Sequence, residues 1–186
     1  MLRCPEDLLP ADAPEDLRRF VGYWIAKAAG RTMPAFADID AIDIPWALSR
    51  IYVVRALDGG ADFVYRLAGE AINLRYAGSL AGRRISDLLA PDSARVVVER
   101  WRQVIETTSA YYVDSEHPTS IGSRLRGRRV VLPLGPDGGP PDHVVGMTVF
   151  EALNTGGTGA ISGMEVQDMR WVELAGGPGV PAPVAP

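Results

Sequence analysis

Residues 63–101, FVYRLAGEAINLRYAGSLAGRRISDLLAPDSARVVVERW, decide the fold of this chain. The stretch begins as a strand and continues as a short helix over residues 69–78, which Gly78 ends. A Gly-Arg-Arg turn follows, a single helical turn is predicted near residues 86–90, and Pro91 opens a long amphipathic helix. Three short motifs mark the turns in this stretch. The first is an aromatic-glycine step (Tyr76, Gly78), the second is a Leu-x-Gly-Arg turn (Leu80, Gly82, Arg83), and the third is Asp-Leu-Leu shortly before Pro-Asp (residues 87–92).

The flanking sequence extends this stretch into one sheet. Strands are predicted at residues 51–57, 62–68, 111–117, 126–134 and 143–153. Turn residues at 58–61 and a glycine-proline cluster at 135–142 predict two antiparallel hairpins, and the long helix spans residues 91–108. This order of elements predicts a five-stranded antiparallel sheet with helices packed on one face. The predicted fold class is therefore α+β.

Both ends of the chain differ from this central part. Residues 14–29 predict a helix with a single apolar stripe, which Gly30 ends (Leu17, Phe20, Val21, Trp24, Ile25, Ala28). Residues 1–13 indicate a loosely held lead-in, residues 154–163 a flexible linker, and the last twelve residues disorder. Residues 164–174 fit either a sixth strand or a short helix. We therefore divide the chain into a flanking helix and connector (1–47), a main domain (48–153) and a flexible extension (154–186).

The order of motifs and elements in residues 48–153 resembles that of PAS domains. The resemblance implies a five-stranded antiparallel sheet with the two N-terminal strands central, and a sensory or interaction module that is not an enzyme. The N-terminal helix and the Asp-Ile-Asp connector (residues 38–40) also resemble those of compact bacterial PAS proteins without a fused output domain. Such a protein would signal through another chain.

Composition narrows the class of partners. The chain has 186 residues, of which 47% are apolar, so it can bury one sizeable core. Its net charge of −4 draws it to neither nucleic acid nor anionic membrane. No window approaches the roughly eighteen uninterrupted apolar residues of a membrane helix. A cytoplasmic protein without nucleic-acid or membrane partners is the expectation.

The resemblance places a ligand cavity between the inner face of the sheet, the short helices and the long helix. Tyr65, Tyr76 and Trp101 are the candidate ligand contacts, because buried hydroxyl and indole groups need polar partners. The alternative is that these rings only fill the core. Arg126 and Arg128 share strand parity with Val130, Leu132 and Leu134, and they could clamp a carboxylate or phosphate with two parallel bonds. The alternative for them is a solvated strand end.

The cofactor is unknown, but several classes are disfavoured. The lone Cys4 lies far from the segment that forms a cysteinyl flavin adduct in photoactive PAS domains, and it excludes an intramolecular disulfide. Haem-binding PAS domains commonly supply a histidine from the long helix, whereas His117 and His143 are expected to be exposed strand ends. Three acids at 38, 40 and 43 suit a solvated connector better than a metal site. Noncovalent flavin, a small carboxylate and an aromatic metabolite stay open.

Three functions remain in view: a ligand-binding regulatory module, a ligand-free adaptor of the same fold, and a small α+β enzyme with unidentified acid-base residues. We also predict a homodimer through the N-terminal helix, because its apolar stripe is too apolar to stand free in water. The rival arrangement packs that stripe onto the chain's own sheet.

Overall fold

The computed structural model describes residues 2–76, 78–118, 124–153 and 165–174. Its helices are α1 (Glu15–Ala28), α2 (Glu70–Asn73), α3 (Ile85–Leu88) and α4 (Pro91–Glu106). Its strands are β1 (Ile51–Leu57), β2 (Asp62–Ala68), β3 (Ser109–Pro118), β4 (Arg124–Leu134), β5 (His143–Leu153) and β6 (Glu165–Glu173). Two single turns of 3₁₀ helix lie at Pro5–Asp7 and Phe36–Asp38. Within these described residues, no helix is long and apolar enough to cross a membrane.

The strands form one sheet in the order β2-β1-β5-β4-β3-β6, and every neighbouring pair is antiparallel. The predicted α+β fold and both hairpins are confirmed. Two details differ from the prediction. Within the described residues the sheet has six strands rather than five, and β2 lies at an edge, so only β1 of the first hairpin is central.

Strand β6 was ambiguous in the sequence because a bulge interrupts its alternation. The pairing with β3 shifts between Asp114 and Ser115, which leaves Gln167 as an extra residue. Val166 therefore packs on the same side as Met169 and Trp171, although its parity in the sequence is opposite. The prediction of a flexible extension over residues 154–186 is therefore corrected for β6, which is a strand of the sheet. Residues 154–164 and 175–186 lie outside the described residues.

Helices cover both faces of the sheet. On the first face, α1 and the N-terminal segment pack against β4 and β5, and the indole Nε1 of Trp24 donates a hydrogen bond to the carbonyl of Pro133 at 3.0 Å. Leu8 and Leu9 are buried in the same cluster, so the prediction of a loosely held lead-in was wrong. On the second face, α2, α3 and α4 pack over a separate apolar cluster, centred on Trp101.

The N-terminal helix does not leave an apolar stripe for a second copy. Leu17, Phe20 and Val21 are fully buried against the chain's own sheet, and Trp24 is nearly so. The apolar stripe of α1 therefore gives no reason to expect a homodimer, because packing against the chain's own sheet already shields it from water. The dimer itself stays a prediction that needs another surface.

The Gly-Arg-Arg turn closes the outer edge of β2. The backbone N–H of Tyr65 donates to the carbonyl of Arg83 at 3.0 Å, and the N–H of Gly82 donates to the carbonyl of Tyr65 at 2.8 Å. These bonds satisfy an edge that would otherwise be unpaired at this point. They also hold Leu80 and Ile85, both buried, against the second face of the sheet.

Candidate functional site

A cavity of about 130 Å³ lies between the second face of the sheet and helices α2, α3 and α4. Five aromatic and four aliphatic side chains form most of its wall: Tyr52, Tyr65, Tyr76, Trp101 and Phe150, with Ile72, Ile85, Leu89 and Val97. Three side chains that can donate hydrogen bonds complete the wall: Arg75, Arg129 and Thr148. Within the described part of the chain, the lining contains no aspartate, glutamate or histidine.

The aromatic wall is built around Trp101. Its ring lies 5.6 Å from that of Tyr52 and 6.3 Å from that of Tyr65, and the latter contact is edge-to-face at 81°. Phe63 contacts the other side of the indole at 5.4 Å and 83°. Such tilted contacts favour fixed ring positions, because the positive edge of one ring meets the negative face of another. The cavity therefore has a rigid apolar wall.

Tyr52 reaches across the sheet because its neighbour on β5 is a glycine. Tyr52 and Gly146 are directly paired, and a methyl group on Gly146 would collide with the phenol ring at its Cζ and hydroxyl end. A glycine inside a strand commonly marks such a close approach. The hydroxyl of Tyr52 is buried and has no hydrogen-bond partner within the described part of the chain.

Arg129 brings a positive charge to the floor of the cavity. It lies on β4, opposite Val113 on one side and Thr148 on the other. Its Nε is buried without a hydrogen-bond partner, and no ion pair of its side chain is found among the residues described. A second guanidinium, that of Arg75, lies 5.1 Å from the centre of the Phe150 ring at the exposed side of the cavity.

Burial keeps the phenols of Tyr52 and Tyr65 neutral at physiological pH. Burial raises the pKa of Tyr52 well above its usual value, and the nearby Arg129 opposes this shift only in part. Burial likewise raises the pKa of Tyr65 and of the neighbouring Tyr111. A neutral phenol both donates and accepts a hydrogen bond, so Tyr52 offers either function to a bound molecule.

The predicted site residues separate into two groups. Tyr65, Tyr76 and Trp101 all line the cavity. Arg126 and Arg128 do not, because their strand parity places them on the face that α1 covers, with Val130 and Leu132. Their role as a ligand clamp is therefore withdrawn.

The chain's own carboxylates already pair with these two arginines. Arg126 forms a bidentate pair with the buried Asp114, which raises the pKa of the guanidinium above its usual value. Arg128 donates to Glu151 at 2.6 Å and to the carbonyl of Asp12 at 2.8 Å. From the sequence we chose these two arginines and missed Arg129. The pattern that could have indicated it is its shared strand parity with Val131, which packs on the other face of β4.

Two other groups of candidate residues have structural partners. Asp38 pairs with Arg31, Asp43 pairs with Lys27, and Asp40 accepts a hydrogen bond from the backbone of Ile42. His143 is buried rather than exposed as predicted; its ring stacks on Phe36 and its Nδ1 lies 2.8 Å from Asp142. The side chain of His117 lies outside the described residues. Across the described ranges, no cluster of three His, Cys, Asp or Glu residues could hold a metal.

Comparison with known proteins gives a family match over most of the chain. A family model described as PAS domain matches residues 13–149, whereas no curated protein matches. Among solved structures, VqmA bound to DPO has a TM-score of 0.46 and 18% identity over 61% of this chain. A Vibrio cholerae VqmA dimer without target DNA has the same TM-score and identity. The fungal photoreceptor VVD has a TM-score of 0.42 and 16% identity over 76% of this chain and 99% of its own.

The matches cover 56% and 51% of the two VqmA chains, so this chain spans about half their length. All these TM-scores are low, and the three structures carry no argument about ligands or partners. The expectation that this chain has no nucleic-acid partner stays a prediction.

Proposed function

The chain belongs to the PAS domain family, and on that premise we propose that it is a sensory module that binds one small molecule in the cavity under α4. The observation that carries the proposal is Tyr52, which lines the cavity and whose buried hydroxyl has no partner among the described residues. Leaving such a group unpaired costs about 1–3 kcal/mol. A bound molecule that pairs with it would offset this cost, which plain packing of the rings does not.

The size of the cavity limits the ligand to about one ring. Its volume of about 130 Å³ is close to that of an engineered cavity of about 150 Å³ that holds benzene in another protein. Sites for drug-sized ligands measure about 300–1,000 Å³. The three fused rings of a flavin, or a haem, need more room than a cavity of about 130 Å³ offers. Of the ligands left open by the sequence, a small carboxylate and a single-ring metabolite fit.

A thermal-shift screen with single-ring metabolites tests the proposal, with native mass spectrometry of the purified protein as a second readout. A ligand at a hundred times its dissociation constant would stabilise the protein by about 2.7 kcal/mol. The control is Val97→Phe, which places a ring in the cavity from α4; it should raise the melting temperature without ligand and abolish the shift. Visible absorbance of a copurified flavin or haem would contradict the proposal, as would the absence of any shift across the screen.

The ligand-free adaptor is the second candidate, and the small volume of the cavity favours it. Under that alternative, Val97→Phe would stabilise the protein and leave every partner interaction unchanged. The enzyme alternative receives no support from the lining, which lacks Asp, Glu and His among the residues described. That the protein is not an enzyme stays a prediction.

The proposal includes a homodimer through the outer edge of β6 rather than through α1. β6 is the last strand of the sheet order, and it pairs only with β3 among the described strands. An unpaired edge offers backbone donors and acceptors to another strand. Antiparallel pairing of two copies about Met169 would place Asp168 opposite the partner's Arg170, so the charges on this edge fit a second copy.

Charge reversal tests this interface by light scattering. Asp168→Arg should weaken the dimer because it sets like charges opposite each other, and the double variant with Arg170→Asp should restore it. The double variant also restores the pair that these residues form within the chain, 3.0 Å apart. A monomeric mass of the intact protein at every concentration would refute the dimer.

A further inference from the structure

The charges around the cavity are unbalanced. Arg129 lies in its floor and Arg75 at its exposed side, and no carboxylate is part of the lining among the residues that the structure describes. A guanidinium is always charged at physiological pH. Arg129 is half-buried and its Nε is shielded from water. Because a charged group that loses water is costly unless it is paired, this arrangement favours a negatively charged occupant.

The other arginines of β4 differ from Arg129 because each of them pairs with a carboxylate. Arg124 pairs with Glu116 at 2.7 Å, Arg126 pairs with Asp114, and Arg128 pairs with Glu151. Arg129 is the exception on β4 within the part of the chain that the structure describes. Arg129 and Tyr52 line the same cavity, and each has a buried polar atom without a partner among the described residues, the Nε and the hydroxyl. Arg124 and Arg128 also have such an Nε, so the missing carboxylate is what distinguishes Arg129.

We propose, as an extension of the proposed function on which it rests, that the ligand is a small aromatic carboxylate whose anionic group binds Arg129 and the hydroxyl of Tyr52. A guanidinium presents two parallel N–H donors that match the two oxygens of a carboxylate. The hydroxyl of Thr148, directly opposite Arg129 in the sheet, is a further donor in the lining. The rings of Tyr65 and Trp101 contact the apolar body of the ligand.

A carboxylate fits this site better than a phosphate for two reasons. Arg75 is exposed and lies over the Phe150 ring, so its charge is screened by water. The one guanidinium in the floor balances one negative charge, whereas a phosphate monoester carries nearly two. Most of the wall is apolar and aromatic, so it would contribute nothing to a free phosphate ion. The site therefore combines one anion position with one ring position.

Benzoate and benzamide are the matched probes, because they share a ring and a shape and differ in charge. Titration calorimetry of the intact protein should give a benzoate affinity about ten to a hundred times that of benzamide, as expected for hydrogen bonds to a charged group. In Arg129→Gln the two probes should bind alike. Arg66→Gln, which removes an exposed arginine of β2, should keep the preference for benzoate. Tyr52→Phe should weaken benzoate and leave benzamide unchanged.

Arg129→Lys is the second variant, because it keeps the charge and removes the two-pronged geometry. It should lose part of the benzoate affinity and retain a salt-sensitive preference for the anion. Equal binding of benzoate and benzamide by the wild type would overturn the anion inference while the proposed function stands. Inorganic phosphate that binds as tightly as benzoate would overturn the ring position. Failure of every single-ring compound to bind would refute the proposed function itself.

Discussion

Adding one methyl group at Gly146 is the sharpest test of how the cavity is built. The three atoms nearest to a Cβ at this position all belong to the ring end of Tyr52, and each is too close for an unshifted structure. Overpacking of this kind costs about 1–3 kcal/mol. We therefore expect Gly146→Ala to lower the free energy of unfolding by about 1–3 kcal/mol and to abolish ligand binding, because the displaced phenol enters the cavity.

The same change should stabilise the protein once the ring is gone. Tyr52→Leu lacks all three atoms that the new methyl group meets. Alanine is then favoured over glycine in a strand by about 0.5–1 kcal/mol. The difference between the two backgrounds gives a coupling energy of about 1.5–4 kcal/mol.

Chemical denaturation of the four proteins in this double-mutant cycle measures the coupling directly. Gly22→Ala is the matched control, because nothing lies within 4 Å of a Cβ there and Gly22 is inside helix α1. It should stabilise the protein by up to about 1 kcal/mol in either background. An equal effect of Gly146→Ala with and without the Tyr52 ring would refute the arrangement of Tyr52 over β5.

Trp101→Ala should cost about 3–5 kcal/mol in denaturant unfolding, because the indole is 3% exposed and contacts three aromatic rings; a loss below about 1 kcal/mol would mean that it is outside the core. Arg126→Met should cost about 3–5 kcal/mol by leaving the carboxylate of Asp114 buried and unpaired, and adding Asp114→Leu should recover much of that loss. Stability should be complete below the usual tyrosine pKa of 10.0 and fall as pH rises above it, because native Tyr52 and Tyr111 keep protons that the unfolded chain releases. Tyr111→Phe should reduce that slope by up to about 1.4 kcal/mol per pH unit in denaturation series from neutral to alkaline pH, and an unchanged slope would contradict the raised pKa.

Much of the fold could be read from local patterns. The apolar stripe of residues 14–29 predicted α1, and turn residues at 58–61 and 135–142 predicted the two hairpins that the sheet contains. β6 escaped this reasoning because the bulge at Gln167 reverses side-chain parity inside the strand. Strict alternation of apolar residues is the pattern that predicts a strand, and a bulge breaks that pattern. The position of the bulge is defined only by the pairing with the neighbouring strand.

Only part of the candidate site could be predicted from the sequence. The PAS resemblance placed Tyr65, Tyr76 and Trp101 near a cavity, and all three line it. Strand alternation showed that Arg126 and Arg128 share a face, but it does not say which face the long helix covers. Because α1 covers the even-numbered face of β4, the cavity received Arg129 instead.

The sequence by itself determined the order of elements, the antiparallel sheet and the helix that carries Trp101, because periodicity and turn residues act within a few positions along the chain. The tertiary structure alone decided that α1 covers its own sheet and that Gly146 makes room for Tyr52. It also decided that Arg129 lies in the cavity with no carboxylate beside it among the described residues. The physical reason is that each of these depends on contacts between residues far apart in the chain, and no local pattern records which distant surface a side chain will meet.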